Sequence, residues 1–172
     1  MKVYYGKAVY GKEEVQASLN VLKKKSLSLI DGPSVKKLEN SISKTFGKKF
    51  GLMVNSGSSA NLLGLASLQL KKGSEIITPT LTFSTTVAPI YQLGLVPHFI
   101  DVGPNNFVAK IEQIEQAINK KTKAIIIPNL LGNVPDWSRI HKITKKYKLK
   151  VIEDSADTIG YKLNGKNFGR YS

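Results

Sequence analysis

Apolar and polar positions along this chain change their period several times, and each change predicts a new element. Val15, Leu19 and Leu22 recur at helical spacing, with Glu13 and Glu14 early and lysines late, which predicts a helix over residues 13–27. An extended arm, residues 1–11, precedes it. Asp31-Gly32-Pro33 breaks the helix, and Ser34 is placed to cap a second one over 35–46, with Leu38, Ile42 and Phe46 on one face. Leu52-Met53-Val54 predicts a short strand, followed by Asn-Ser-Gly-Ser-Ser and an apolar helix beginning near Ala60.

From Lys71 onward the chain alternates. Residues 75–78 read as a strand ending at Pro79, and 84–93 as a helix that Pro89 kinks or shortens. Residues 96–102 form a second strand, closing on Asp101, and 111–119 a helix with Ile111, Ile114, Ala117 and Ile118 inward. Residues 123–128 are continuously apolar, the pattern of a strand buried on both faces. Pro135 opens a helix carrying Trp137, Ile140, Ile143 and Tyr147. Residues 149–152 are another buried strand and deliver Glu153-Asp154; residues 161–168, with Asn164-Gly165, predict a hairpin. This alternation predicts a three-layer α/β domain with a largely parallel sheet.

Composition narrows the class. At 172 residues with 41% hydrophobic and 22% charged positions, the chain is globular. No apolar run reaches the roughly 18 residues of a membrane span, and the N-terminus lacks a signal peptide's apolar core, so the expected location is cytoplasmic. The absence of cysteine excludes disulfides, thiolate metal sites and cysteine nucleophiles within these residues. The net charge of +14 comes from lysines, with Arg139 and Arg170 the only arginines. Lysines in scattered clusters, mostly at helix ends, without a zinc-finger or aromatic RNA-binding motif, read as a solvated basic surface. No nucleic-acid or membrane partner is expected, though the charge can draw in anionic substrates.

In a parallel sheet, ligands sit beyond the carboxyl ends of the strands. That gathers the loop after Val54, the segment Thr78–Phe83, Asn129 and Asp154 around one crevice. The loop has two readings. Gly57 allows close backbone approach, and Ser58 and Ser59 add hydroxyls to the free amides of a helix start, a combination suited to phosphate. Alternatively, Ser56, Ser58 or Ser59 simply caps the helix.

The runs NSGSSANLLGL, IITPTLTFSTTVAPIYQLGLVPHFIDV and VIEDSADTIG, in this order, resemble the DegT/DnrJ/StrS family of sugar-nucleotide aminotransferases and dehydratases. The likeness runs from GKAVYGKEEV to NGKNFG. It implies the large domain of a pyridoxal-phosphate-dependent transferase of fold type I, using pyridoxal or pyridoxamine 5'-phosphate. It further implies a nucleotide-linked keto-sugar as substrate, a role in surface-polysaccharide or deoxysugar synthesis, and a homodimer. By the same resemblance, Gly57, Ser58 and Ser59 hold the cofactor phosphate, Phe83 stacks on the pyridine ring, and Asp154 faces its nitrogen. A carboxylate there keeps the ring protonated, so that it accepts the electrons of a carbanion.

Two departures qualify the resemblance. Asp157 stands where aminotransferases of the family carry Gln or His near the cofactor. Together with LLGN at 130–133, it leans toward the branch that removes a sugar 3-hydroxyl. The sequence also stops at Ser172, before the family's Schiff-base lysine, or the histidine that replaces it, and before the small C-terminal domain. Lys162 and Lys166 do not match that position. Residues 1–33 are therefore expected to be an arm and helix, and 34–172 the first part of an incomplete cofactor-binding domain, inactive by itself. The alternative of another class is a short, non-catalytic binding module.

Overall fold

The computed structural model describes residues 6–24, 29–30, 32–160, 162–163, 166–167 and 169. The chain divides into two compact units, residues 1–37 and 38–172.

In the first unit, α1 (Lys12–Lys23) starts after Gly11, whose amide donates to Glu14 Oε2 at 2.7 Å. That bond holds the Glu14 carboxyl below its ordinary value. The apolar stripe of α1 exists as expected, but Val15, Leu19 and Leu22 remain exposed. The helix was expected through residue 27; residues 25–28 lie outside the described residues, as do residues 1–5 of the arm and Asp31. The second helix, α2 (Pro33–Thr45), begins one residue before Ser34, so Ser34 lies within its first turn rather than capping it. Proline suits that first position because its missing N–H would have no intrahelical acceptor there.

The second unit is built on a four-stranded, all-parallel sheet in the order β2-β1-β3-β4, with β1 (Glu75–Pro79), β2 (Val96–Ile100), β3 (Thr122–Pro128) and β4 (Lys150–Asp154). Each strand lies within two residues of its predicted span. β2 stops at Ile100, since Val102 instead forms an isolated antiparallel bridge with Ala109. α3 (Gly57–Ser67) and α4 (Ser84–Gln92) supply one covering layer; α5 (Ile111–Ala117) and α6 (Trp137–Lys146) supply the other. The alternation of side chains along a strand divides the two cores. Ile77, Ile125 and Ile127 pack with Ile114, Trp137 and Ile140, whereas Ile76, Ala124 and Ile126 pack with Leu65 and Ile90. This is why β3 reads as one unbroken apolar run.

Residues 52–54 do not form the predicted strand. Leu52 and Met53 are exposed, and among the described residues no strand lies beside them. Apolar sequence alone does not make a strand when its ladder has no partner. Glu39 anchors the segment instead, accepting from the Met53 amide at 2.9 Å. At the other end of the chain, β5 (Lys162–Leu163) and β6 (Lys166–Asn167) pair antiparallel as the hairpin expectation required; its Asn164-Gly165 turn lies outside the described residues.

Candidate functional site

The carboxyl ends of β3 and β4 and the opening turns of α3 and α4 come together at Asp154. α3 begins at Gly57, three residues earlier than the apolar pattern suggested, because Ser56 caps it: its Oγ accepts from the Ser59 amide at 3.1 Å. The capping reading thus holds for Ser56 and leaves the Gly57 and Ser58 amides of the first turn without an intrahelical acceptor. Gly57 has neither a positive φ nor a crowded neighbourhood; a Cβ there would meet no atom within 4 Å. Nothing in the chain itself therefore demands glycine, and the space beside it is open to a ligand's approach.

Asp154 ends β4 and is half-buried. Its Oδ2 accepts from Asn61 Nδ2 on α3 at 2.9 Å and from Thr86 Oγ1 on α4 at 3.0 Å. Among the described residues its Oδ1 accepts only from the Ala156 amide, at 3.3 Å. The Asn129 amide bonds to the Asp154 carbonyl at 2.9 Å, tying the end of β3 to the same point. Phe83, the residue before α4, is 65% exposed at this end of the sheet. The sequence-predicted residues Gly57, Ser58, Ser59, Phe83 and Asp154 thus belong to segments joined by two side-chain hydrogen bonds.

Asp157 lies differently. It is exposed, and its Oδ2 accepts from the Leu131 amide at 2.9 Å. It thereby fastens the short 3-10 turn Leu130–Gly132, in which Leu131 adopts the left-handed conformation (φ 55°, ψ 27°). That backbone is uncommon for a branched residue and is held here from outside the turn.

Behind this face is a buried polar cluster. Asn129, 1% exposed, accepts from Trp137 Nε1 at 2.8 Å and donates to Glu153 Oε1 at 2.9 Å and Ser155 Oγ at 3.0 Å. Glu153 Oε2 and Thr82 Oγ1 are buried with no hydrogen-bond partner among the described residues. Burial pushes the Lys48 amine below its usual value, and the Glu153 carboxylate works against that shift. Sequence reasoning passed over Asn61 and Thr86. Both stand among other polar residues in their opening turns, Ser58 and Ser59 in α3 and Ser84 and Thr85 in α4, so nothing local singled them out. Among the described residues, no cluster of His, Asp or Glu is arranged to hold a metal ion, and no helix is long and apolar enough to cross a membrane.

The sequence profile of the DegT/DnrJ/EryC1/StrS aminotransferase family matches residues 9–172. The chain belongs to this family. Its relatives within the DegT family include the GDP-4-keto-6-deoxy-D-mannose 3-dehydratase of Yersinia pseudotuberculosis, 40% identical over 146 residues, which are 81% of this chain and 37% of the relative. Another is the 3-oxo-glucose-6-phosphate:glutamate aminotransferase of Bacillus subtilis, 35% identical across 90% of this chain and 35% of the relative. Among solved DegT-family structures, GDP-4-keto-6-deoxymannose-3-dehydratase with a trapped PLP-glutamate geminal diamine superposes with a TM-score of 0.89. It is 37% identical, and the match covers 96% of this chain and 44% of that one. The chain thus spans less than half the length of the curated relatives it matches, and its α/β fold is an incomplete fold type I fold.

Proposed function

We propose that this chain carries the cofactor-holding part of an enzyme of pyridoxal-phosphate type that acts on a nucleotide-linked keto-sugar. The observation that carries this reading is the convergence of α3, α4 and β4 on Asp154. The residues present fit the group. The open first turn at Gly57, Ser58 and Ser59 suits a phosphate, Phe83 offers an exposed ring for stacking, and the Asp154 carboxylate has one oxygen not taken by the helices. When bound, the cofactor supplies an electron sink for cleavage of a bond beside the substrate's amino or imino carbon. The chain's own part is to bind the phosphate, orient the ring and keep a proton on its nitrogen through Asp154.

Two reactions fit this cradle: transfer of an amino group to the sugar, and loss of its 3-hydroxyl with the aminated cofactor. The 40% identity to the Yersinia dehydratase and the acid at Asp157 support the second. In this reading the whole enzyme is a cytoplasmic homodimer; neither nucleic acid nor a membrane takes part. In this reading none of the residues assigned above moves protons at the reacting carbon.

Titration of the chain with pyridoxal 5'-phosphate, followed by cofactor absorbance, tests the proposal. Saturable binding that weakens at least tenfold in Phe83→Ala and Asp154→Ala is the expected result. Equal affinity in all three proteins overturns the assignment of those residues. Asp157→Gln, made in an enzyme of full family length, separates the two reactions: elimination unaffected by it argues against a role for Asp157 in dehydration.

A further inference from the structure

We propose that Asn61 and Thr86 are positioning residues that divide the two oxygens of Asp154 between the scaffold and the ligand. This inference rests on the cofactor reading above and goes beyond it by naming which groups set the carboxylate's orientation. Two donors from two different helices converge on Oδ2, at 2.9 and 3.0 Å. A carboxylate oxygen has about two lone-pair sites, so these donors fill it and fix the plane of the group. Among the described residues the opposite oxygen has one long contact, 3.3 Å from the Ala156 amide. It is the oxygen available to a protonated ring nitrogen.

Packing does not explain the amide at position 61. Asn61 lies one turn before Leu65, which is 1% exposed, so the two share a face of α3. A leucine at 61 would lengthen that apolar stripe. Instead the side chain donates to Asp154 and also reaches the Thr85 carbonyl at 3.4 Å, bridging the two helices. Thr86 is fully buried, and its hydroxyl is committed to the same carboxylate. The spacing has a further effect. Asn61 follows Ser58 by three residues and Thr86 follows Phe83 by three, so each donor stands one helical turn from a residue assigned to the cofactor. The pair therefore sets the span between phosphate end, stacking ring and carboxylate as one rigid unit.

The test has a ligand-free part and a ligand part. In the chain labelled with 13C at aspartate carboxyls, Asn61→Leu and Thr86→Val are each expected to displace the Asp154 resonance, and Thr86→Ser to restore it. A folded Asn61→Leu or Thr86→Val protein with the resonance unmoved overturns the proposal; Thr86→Val, nearly isosteric, decides it if Asn61→Leu does not fold. In the ligand part, Asn61→Leu is expected to weaken pyridoxal 5'-phosphate about tenfold while leaving inorganic phosphate affinity unchanged. Equal weakening of both ligands means general damage to the start of α3 and also overturns it. If the unsubstituted chain takes up no pyridoxal phosphate, the cofactor reading fails by itself, and the carboxyl resonance alone decides the positioning role.

Discussion

The Trp137 indole Nε1 donates to Asn129 Oδ1 at 2.8 Å, and both side chains are almost wholly out of water. The bond links the start of α6 to the end of β3. It leaves the amide nitrogen of Asn129 free to donate to Glu153 and Ser155 on the neighbouring chain segment. Asn129→Leu would leave a buried indole N–H without its acceptor and take one of two donors from Glu153 Oε1, which keeps Ser155 Oγ at 3.0 Å. We expect a loss of about 2–4 kcal/mol in urea unfolding. A loss below the scatter of the measurement would show that the cluster relaxes around the substitution.

Ser56 and Ser58 separate stability from binding. Ser56→Ala removes the cap of α3 and should lower stability by about 1 kcal/mol. Ser58→Ala should leave the unfolding midpoint nearly unchanged while weakening pyridoxal phosphate. The reverse pattern would return this loop to a purely structural role.

Gly51 tests how the segment before α3 is held. A Cβ at this position would lie 2.5 Å from the backbone carbonyl oxygen of Glu39, an atom that cannot swing aside. Gly51→Ala should therefore cost about 1–3 kcal/mol, read from chemical denaturation. It should also loosen the Met53–Glu39 hydrogen bond, seen as faster exchange of the Met53 amide. An unchanged exchange rate would mean that the segment moves as a whole.

Glu75 gives a pH dependence. The Asn119 side chain donates to its Oε2 at 2.6 Å and is the main cause holding this carboxyl below its ordinary value of 4.5; burial pulls the other way, and His98, 3.5 Å off, adds to the lowering. A carboxyl whose folded value is lowered contributes stability that is fully present above its unfolded value. That contribution is lost as pH falls through the folded value. Unfolding followed from pH 6 downward should therefore show a loss beginning near about 4.5, and Glu75→Gln should flatten that limb. Identical profiles would remove Glu75 from the acid response.

The parallel sheet, the four covering helices of the second unit and the meeting of their loops were legible because Ile-rich strands and helical stripes alternate with few interruptions. Local rules failed where the deciding partner lies elsewhere. Leu52–Val54 carries strand-like residues without a neighbour to pair with, and α3 starts earlier than its apolar residues do because Ser56 caps it. Asp157 illustrates the same limit in the site. Its contact with the Leu131 amide depends on a turn 26 residues away, which no local pattern announces. Asn61 and Thr86 were hidden for a related reason: their partner Asp154 is 93 and 68 residues further on. No window of a single helix contains that information.

That separation also bears on the order in which the protein forms during synthesis. The elements from α3 to α6 can gather as they leave the ribosome, since β1, β2 and β3 need only one another to pair. The donors of Asn61 and Thr86 must wait until β4 has emerged and docked beside β3. The carboxylate that unites the site is thus delivered by β4, the last in chain order of the four strands among the described residues. A chain interrupted before residue 154 would have most of the layered core but no assembled pocket.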